Sequence, residues 1–354
     1  MAAIEILGTG RLDERDSAFP QAVELPGGEI LCSFSVGGGP NVTGGTDWAR
    51  SEDGGRTWTL EGTILPPDRA AGTANFLKLS LSADGRTIFA YGAEIANTPE
   101  KPFGQRAARA VLCRSTDGGR SWTAPERVPM PVEGPLEISH AARPLQSGRL
   151  LAPAATLPDP ARLGERVLVA ISDDGGKTWP RHGVVFHDPA GKRGFFEHKL
   201  AELPSGQVLA TAWTVTLGDY GDEPNRFALS RDGGLTWGPS RSTGICGQTL
   251  STLPLDNDRL LVLYNRRYGR QAVVACLVTF DEQRWTVHHE HVIYDAKARR
   301  ERPADVESGI DELDAFAFGF PTAIRLEDDS LLVTHWCTQS GVCGIRWTKL
   351  RVNE

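Results

Sequence analysis

The chain has no long apolar run, no basic surplus, no paired-cysteine spacing and no stretch that reads as a long amphipathic helix. Each gap removes a class of protein. A membrane-spanning helix needs about twenty consecutive apolar residues, and none is present. A net charge of -7 argues against a nucleic-acid binder, which would show a basic face or stripe. The opening residues, MAAIEILGTGRLDERD, carry no charged stretch followed by an apolar core, so no secretory signal is read there and a cytoplasmic location is expected. Cys32, Cys113, Cys246, Cys276, Cys337 and Cys343 match no metal-ligand or CxxC spacing, and several lie in apolar runs such as ILCSFSV and VVACLV. Buried, reduced thiols are expected rather than disulfides. Three imidazoles crowd into HHEH at 288–291, but alternation along a strand would divide them between two faces. No metal and no cofactor are therefore expected, and oligomeric state leaves no signature.

What is present is turn-forming residues and short apolar runs. Gly (39) and Pro (23) are frequent among 354 residues, a balance that suits many short strands joined by turns. One turn recurs: SEDGGRTW from Ser51, STDGGRSW from Ser115, SDDGGKTW from Ser172 and SRDGGLTW from Ser230. Asp53, Asp117, Asp174 and Asp232 are placed to accept backbone N–H groups of their own turns. The two glycines after each supply positive φ, and Trp58, Trp122, Trp179 and Trp237 offer apolar faces for packing. A fifth copy has decayed to TFDEQRW around Asp281 and Trp285. These turns are read as structural, with no chemistry of their own.

Each turn follows a hairpin of two apolar strands. Six such hairpins occur, from FPQAVELPGGEILCSFSV in the first unit to FPTAIRLEDDSLLVTHW in the sixth. The spacing is roughly sixty residues per unit, a little above the usual propeller blade. The expected fold is all-β: a six-bladed propeller of four-stranded antiparallel blades, one domain over residues 1–354, with AAIEILGTG supplying the outer strand of the last blade.

Four copies of S-x-D-x-G-x-T/S-W resemble the Asp-box, or BNR, repeat of the sialidase superfamily. The resemblance covers almost the whole chain. It implies a propeller whose sugar-binding mouth lies at the end away from the Asp boxes. Residue by residue the match is partial. Where sialidases open blade one with an arginine, this chain has Ala18; where their acid/base aspartate lies, it has GGGPNVTGG; where their second arginine belongs, Trp213 stands. Blade four keeps Glu197 at the place of the residue that activates the nucleophile, blade five puts Arg270 near the third arginine's place, and the tyrosine nucleophile aligns with Phe318. The implied fold stands, while the standard sialidase reaction does not.

The residues themselves point to polar chemistry at the mouth. Glu197 follows two phenylalanines, and a carboxylate beside an apolar wall suits a general acid or base. His140, with Glu137 three residues before it, suits a proton shuttle, or is a plain structural histidine. Asn265, Arg266, Arg267 and Arg270 cross one short loop; one or two of them facing the mouth would bind a carboxylate. Lys199, Gln248, Asp16, Asn75 and Asp314 are expected around the same opening, with Trp213 and Phe318 stacking on a sugar ring or plugging the channel. Glu197 with Glu137 or Asp314 is the expected carboxylate pair for glycoside hydrolysis. The expectation is a carbohydrate-active enzyme taking an oligosaccharide or small-molecule substrate with an acidic sugar, most simply a hydrolase. A lyase using His140 or a tyrosine as base, and a non-catalytic glycan- or protein-binding propeller, remain open at this point.

Overall fold

The computed structural model describes residues 3–98, 100–101, 104–301 and 316–353. Six antiparallel sheets radiate from one axis. Blade one comprises Ser17–Glu24, Ile30–Val36, Thr46–Ser51 and Thr59–Leu65. Blade two comprises Thr73–Leu81, Ile88–Ala96, Ala108–Ser115 and Glu126–Arg127. In blade three the inner strand is broken into Leu136–Glu137 and Arg143–Pro144, followed by Leu150–Thr156, Arg166–Ser172 and Arg181–His187. Blade four comprises Arg193–Glu202, Val208–Thr216, Asp222–Ser230 and Arg241–Ser242. Blade five comprises Gln248–Pro254, Arg259–Arg266, Gly269–Phe280 and Trp285–Arg300. Blade six comprises Phe318–Arg325, Leu331–Gln339 and Val342–Asn353, and Ala3–Asp13 completes it by pairing with the last of these. Among the described residues no helix is long and apolar enough to cross a membrane.

The core lies in the seams. The apolar clusters span adjacent blades, as where Leu31 and Trp48 of blade one meet Leu79 and Val111 of blade two. Strand residues alternate between two faces, so each blade buries both faces against its neighbours and the ring holds itself shut.

The repeated turns fasten those seams from the outside. In blade three, Asp174 accepts the backbone N–H groups of Lys177 (3.0 Å) and Thr178 (2.9 Å) and the hydroxyls of Thr178 and Ser172. The boxed tryptophan then packs into the seam with the preceding blade: Trp58 against blade six, Trp122 against blade one, Trp179 against blade two and Trp237 against blade three. A cation from the preceding blade binds the box's carbonyls in return. Arg50 donates to Gly118 (2.8 Å), Arg114 to Gly175 (3.0 Å) and Arg149 to Asp232 (2.8 Å). The box is thus a seam clasp as well as a turn.

Five of the six cysteines are buried and Cys246 is exposed; all six are free thiols. The hydrogen bonds from Thr178 and Ser172 hold the Asp174 carboxyl well below its ordinary value of 3.8. A depressed carboxylate stabilises the fold above its unfolded-state pKa and loses that contribution as pH falls towards its folded value. Asp174→Ala is expected to lower the urea midpoint at neutral pH, with a deficit that shrinks once pH drops below the ordinary aspartate range. Denaturation curves of both proteins across pH check this; a deficit constant with pH would contradict it.

Candidate functional site

Every inner strand starts at one end of the ring and turns back at the other, so the hairpin tips and the Asp boxes share the far end. At the starting end a cavity of about 270 Å³ opens on the axis. Phe19, Phe76, Glu137, Phe196, Glu197, Trp213, Arg267, Phe316, Phe320 and Trp336 line it, with Lys101 and Arg106 among its polar wall.

A regular strand would send its side chains into the two seams, leaving backbone to face the axis. Inner strands of blades one, four, five and six avoid this by the same irregularity. Each shifts register near its start, between Ala18 and Gln21, Phe196 and Lys199, Gln248 and Ser251, and Gly319 and Thr322. Within each bulge one non-glycine residue takes the left-handed conformation: Phe19 (φ 55), Glu197 (φ 44), Thr249 (φ 54) and Phe320 (φ 53). Such a conformation costs about 1–3 kcal/mol per residue and persists where the surroundings enforce it. Here it directs Phe19, Glu197 and Phe320 into the cavity, and Thr249 Oγ1 donates a hydrogen bond to the Glu197 carboxylate.

Blade three brings the second carboxylate. Glu137 ends the first piece of its broken inner strand, paired with Ala155. Burial and the nearby Glu197 carboxylate push Glu137 up to about 7, against the opposing pull of Ser139, Lys199 and Lys78. His198 Nδ1 stands 3.6 Å from Glu137 Oε2. That contact is not an ion pair at neutral pH, because burial, aided by Lys199 and Lys78, pulls the imidazole down to about 3. Two buried ammonium groups lie under the aromatic floor: Lys78 Nζ is 4.0 Å from the Phe76 ring centroid and Lys199 Nζ is 3.9 Å from that of Phe320.

The other expected residues divide. Arg267 is buried at the wall, its Nε donating to Gln248 Oε1 (2.6 Å), with its guanidinium 3.7 Å from the Phe316 ring centroid. A second guanidinium nitrogen donates to the Phe318 carbonyl, while the Phe318 side chain is buried outside the cavity lining. Burial lowers the Arg267 pKa without discharging the group at neutral pH. Trp213 lines the cavity and donates from Nε1 to Asp222 (2.9 Å).

His140, Lys199, Gln248, Asn265, Arg266, Arg270, Asp16 and Asn75 are not in the lining. Both His140 ring nitrogens are engaged by backbone, Nδ1 with the Ala141 carbonyl (2.6 Å) and Nε2 with the Leu200 N–H (3.4 Å). Asp16 accepts the Gly38 N–H, and Asn75 accepts the Thr46 hydroxyl and donates to the Pro66 carbonyl. Asn265 is fully buried, Arg266 donates to the Arg270 carbonyl, and Arg270 is 69% exposed in an ion pair with Asp295. Asp314 lies outside the described residues. Residues 288–291 fall on the outer strand of blade five, and no group of three metal-ligating side chains occurs among the described residues.

Sequence reasoning missed Lys78, Phe19, Phe76, Phe320, Thr249 and Arg106. Two signals were there. Lys78 is a lone cation inside the apolar run NFLKLSL, and Phe19 and Phe320 each precede proline in blades that adjoin. Because Trp213 and Trp336 face the cavity, a sugar entering it is expected to change tryptophan emission. Trp213→Phe should remove a large part of that change; an undiminished response would place the ligand elsewhere.

Residues 100–333 match the family model of the BNR repeat-like domain. No curated protein sequence matches the chain. A crystal structure of a protein of unknown function from Dyadobacter fermentans superposes with a TM-score of 0.78 at 24% identity, over 99% of both chains. The intramolecular trans-sialidase of Ruminococcus gnavus, solved with oseltamivir carboxylate, gives 0.64 at 12% identity over 95% of this chain and 94% of that one. The α-L-arabinanase of Penicillium chrysogenum, solved with arabinobiose, gives 0.65 at 15% identity over 98% of each. These likenesses establish a common fold, and the family model covers well over half of the sequence. The chain belongs to the BNR repeat-like domain family.

Proposed function

We propose that this protein is a glycoside hydrolase whose axial cavity holds a sugar of an acidic glycan and whose Glu137 and Glu197 cleave the glycosidic bond. The observation that carries the reading is that two carboxyl groups from different blades line one small cavity in contrasting surroundings. Glu137 is buried and raised towards neutral pH, as a general acid needs to be. Glu197 receives the Thr249 hydroxyl and offers its carboxylate to the same space. In the assigned reaction Glu137 donates its proton to the departing glycosidic oxygen. Glu197 acts on the anomeric carbon, directly or through an activated water.

The aromatic walls support sugar binding, since Phe19, Phe76, Trp213 and Phe320 present apolar faces to a pyranose. Arg267, Lys101 and Arg106 supply the positive side of the wall that a uronate or sialic-type carboxylate would meet. The R. gnavus trans-sialidase and the P. chrysogenum arabinanase share the fold and act on sugars, which supports a carbohydrate-active reading. No tyrosine is among the described residues lining the cavity, so two glutamates rather than a tyrosine nucleophile fit this chain. Hydrolysis is favoured over elimination because His140 has both ring nitrogens engaged by backbone and no tyrosine is among the described residues lining the cavity.

A panel of aryl glycosides and acidic oligosaccharides tests the proposal. At least one is expected to be cleaved, with Glu197→Gln reducing kcat by about 10²–10⁴. Glu137→Gln should impair substrates with poor leaving groups far more than activated aryl glycosides. Activity should fall as pH rises through about 7, where Glu137 loses the proton it must donate. Binding without turnover, with affinity unchanged in Glu197→Gln, would instead make this a non-catalytic glycan-binding propeller.

A further inference from the structure

The broken inner strand of blade three has a backbone debt. Glu137 pairs with Ala155 and Arg143 with Leu151, so residues 138–142 stand opposite 152–154, five against three. Ile138 and Ser139 of this segment line the axial cavity, and residues 138–142 take no part in the sheet ladder. Buried carbonyls must still be satisfied. Lys78 of blade two donates from Nζ to the Ile138 carbonyl (2.8 Å), and Lys199 of blade four donates to the Ser139 carbonyl (2.5 Å). Arg143 fixes the far side of the bulge through two bonds to the Leu200 carbonyl (3.1 and 3.0 Å). The segment next to Glu137 is therefore gripped from both neighbouring blades.

A neutral amide would satisfy a carbonyl as well as an ammonium does. Lys78 is 0% exposed and Lys199 2%, and burying an ammonium costs several kcal/mol unless its charge is used. The charges around Glu137 show that use. Lys78 and Tyr91 face it from blade two, and Glu197, His198 and Lys199 from blade four, with Ser139 and His140 on its own segment. Lys78 and Lys199 share this closed space with Glu137 and Glu197, the rings of Phe76 and Phe320 lie against their amino groups, and burial together with Lys199 pulls Lys78 well down from its ordinary value.

We infer that Lys78 and Lys199 are positioning residues, which clamp the bulged strand of blade three from either side and so fix both the place and the charge state of Glu137. The inference rests on the hydrolase reading for its functional meaning, but not for its test. With both lysines charged, the Glu137 carboxylate is favoured; loss of either leaves burial and Glu197 opposing it with less compensation.

The test is an infrared pH titration of the Glu137 carboxyl, its band assigned by disappearance in Glu137→Gln, which needs no substrate. In Lys78→Met and Lys199→Met the midpoint is expected to move to higher pH by about one unit or more. Lys78→Gln keeps a donor for the Ile138 carbonyl and removes the charge, so it should fold even where the methionine variant does not, and it should show the same upward shift. Lys78→Arg should restore the midpoint towards that of the parent protein. An unmoved or lowered midpoint in folded Lys78→Gln and Lys199→Met overturns the inference, even if the parent protein cleaves a glycoside. A raised midpoint upholds it, even if no glycoside is cleaved, in which case the hydrolase reading alone fails. A crystal structure in which Lys78 and Lys199 do not reach the Ile138 and Ser139 carbonyls also overturns it.

Discussion

The left-handed bulge at the start of an inner strand decides what the centre of this propeller contains. A pleated strand sends alternate side chains to its two faces, and in a radial blade both faces are seams. Left regular, six inner strands would present mostly backbone to the axis. The bulges at Phe19, Glu197, Thr249 and Phe320 break that rule at corresponding places in four blades, each at a residue whose Cβ disfavours the conformation. The seams, held by apolar packing and clasped by the Asp boxes, supply the stability that tolerates such strain. The opening then acquires two phenylalanines, one carboxylate and the hydroxyl that binds it.

Blade three solves the same problem differently. Its inner strand is broken outright, and the extra backbone is held by side chains from blades two and four. The result is a compact charge cluster in a poorly solvated space, where the charges of Glu197, Lys78 and Lys199 act on the proton affinity of Glu137. Burial pulls both lysines down and pushes Glu137 up; like charges reinforce the shifts of Lys78 and Glu137, and the attraction between the lysines and the glutamates opposes all three. Burial is the largest reason that a proton can reside on Glu137 near neutrality.

Much of the fold was legible because its signals are local. Asx-type turns with paired glycines and a tryptophan, repeated after apolar hairpins, specify blades, and the count of hairpins specifies six. The site was legible only in outline. Glu137, Glu197, Trp213 and Arg267 were found because residues at strand starts and in the connecting loops of one end must gather there. Asp16, Asn75 and Gln248 have the same positions and polarity, yet their hydrogen bonds go to Gly38, to Thr46 and Pro66, and to Arg267. Sequence shows a polar side chain but not whether its capacity is already taken. Lys78 was lost among apolar neighbours, and the bulges were hidden because the left-handed position in each is held by a residue other than glycine.

The most direct measurement is a crystal structure of the protein soaked with an acidic oligosaccharide that it binds. The account predicts a sugar ring stacked within the walls of Phe19, Phe76, Trp213 and Phe320, its carboxylate towards Arg267, and a glycosidic oxygen in hydrogen-bonding reach of Glu137 with Glu197 beside the anomeric carbon. A sugar lodged elsewhere on the ring, or one in the cavity whose linkage reaches neither glutamate, would contradict it.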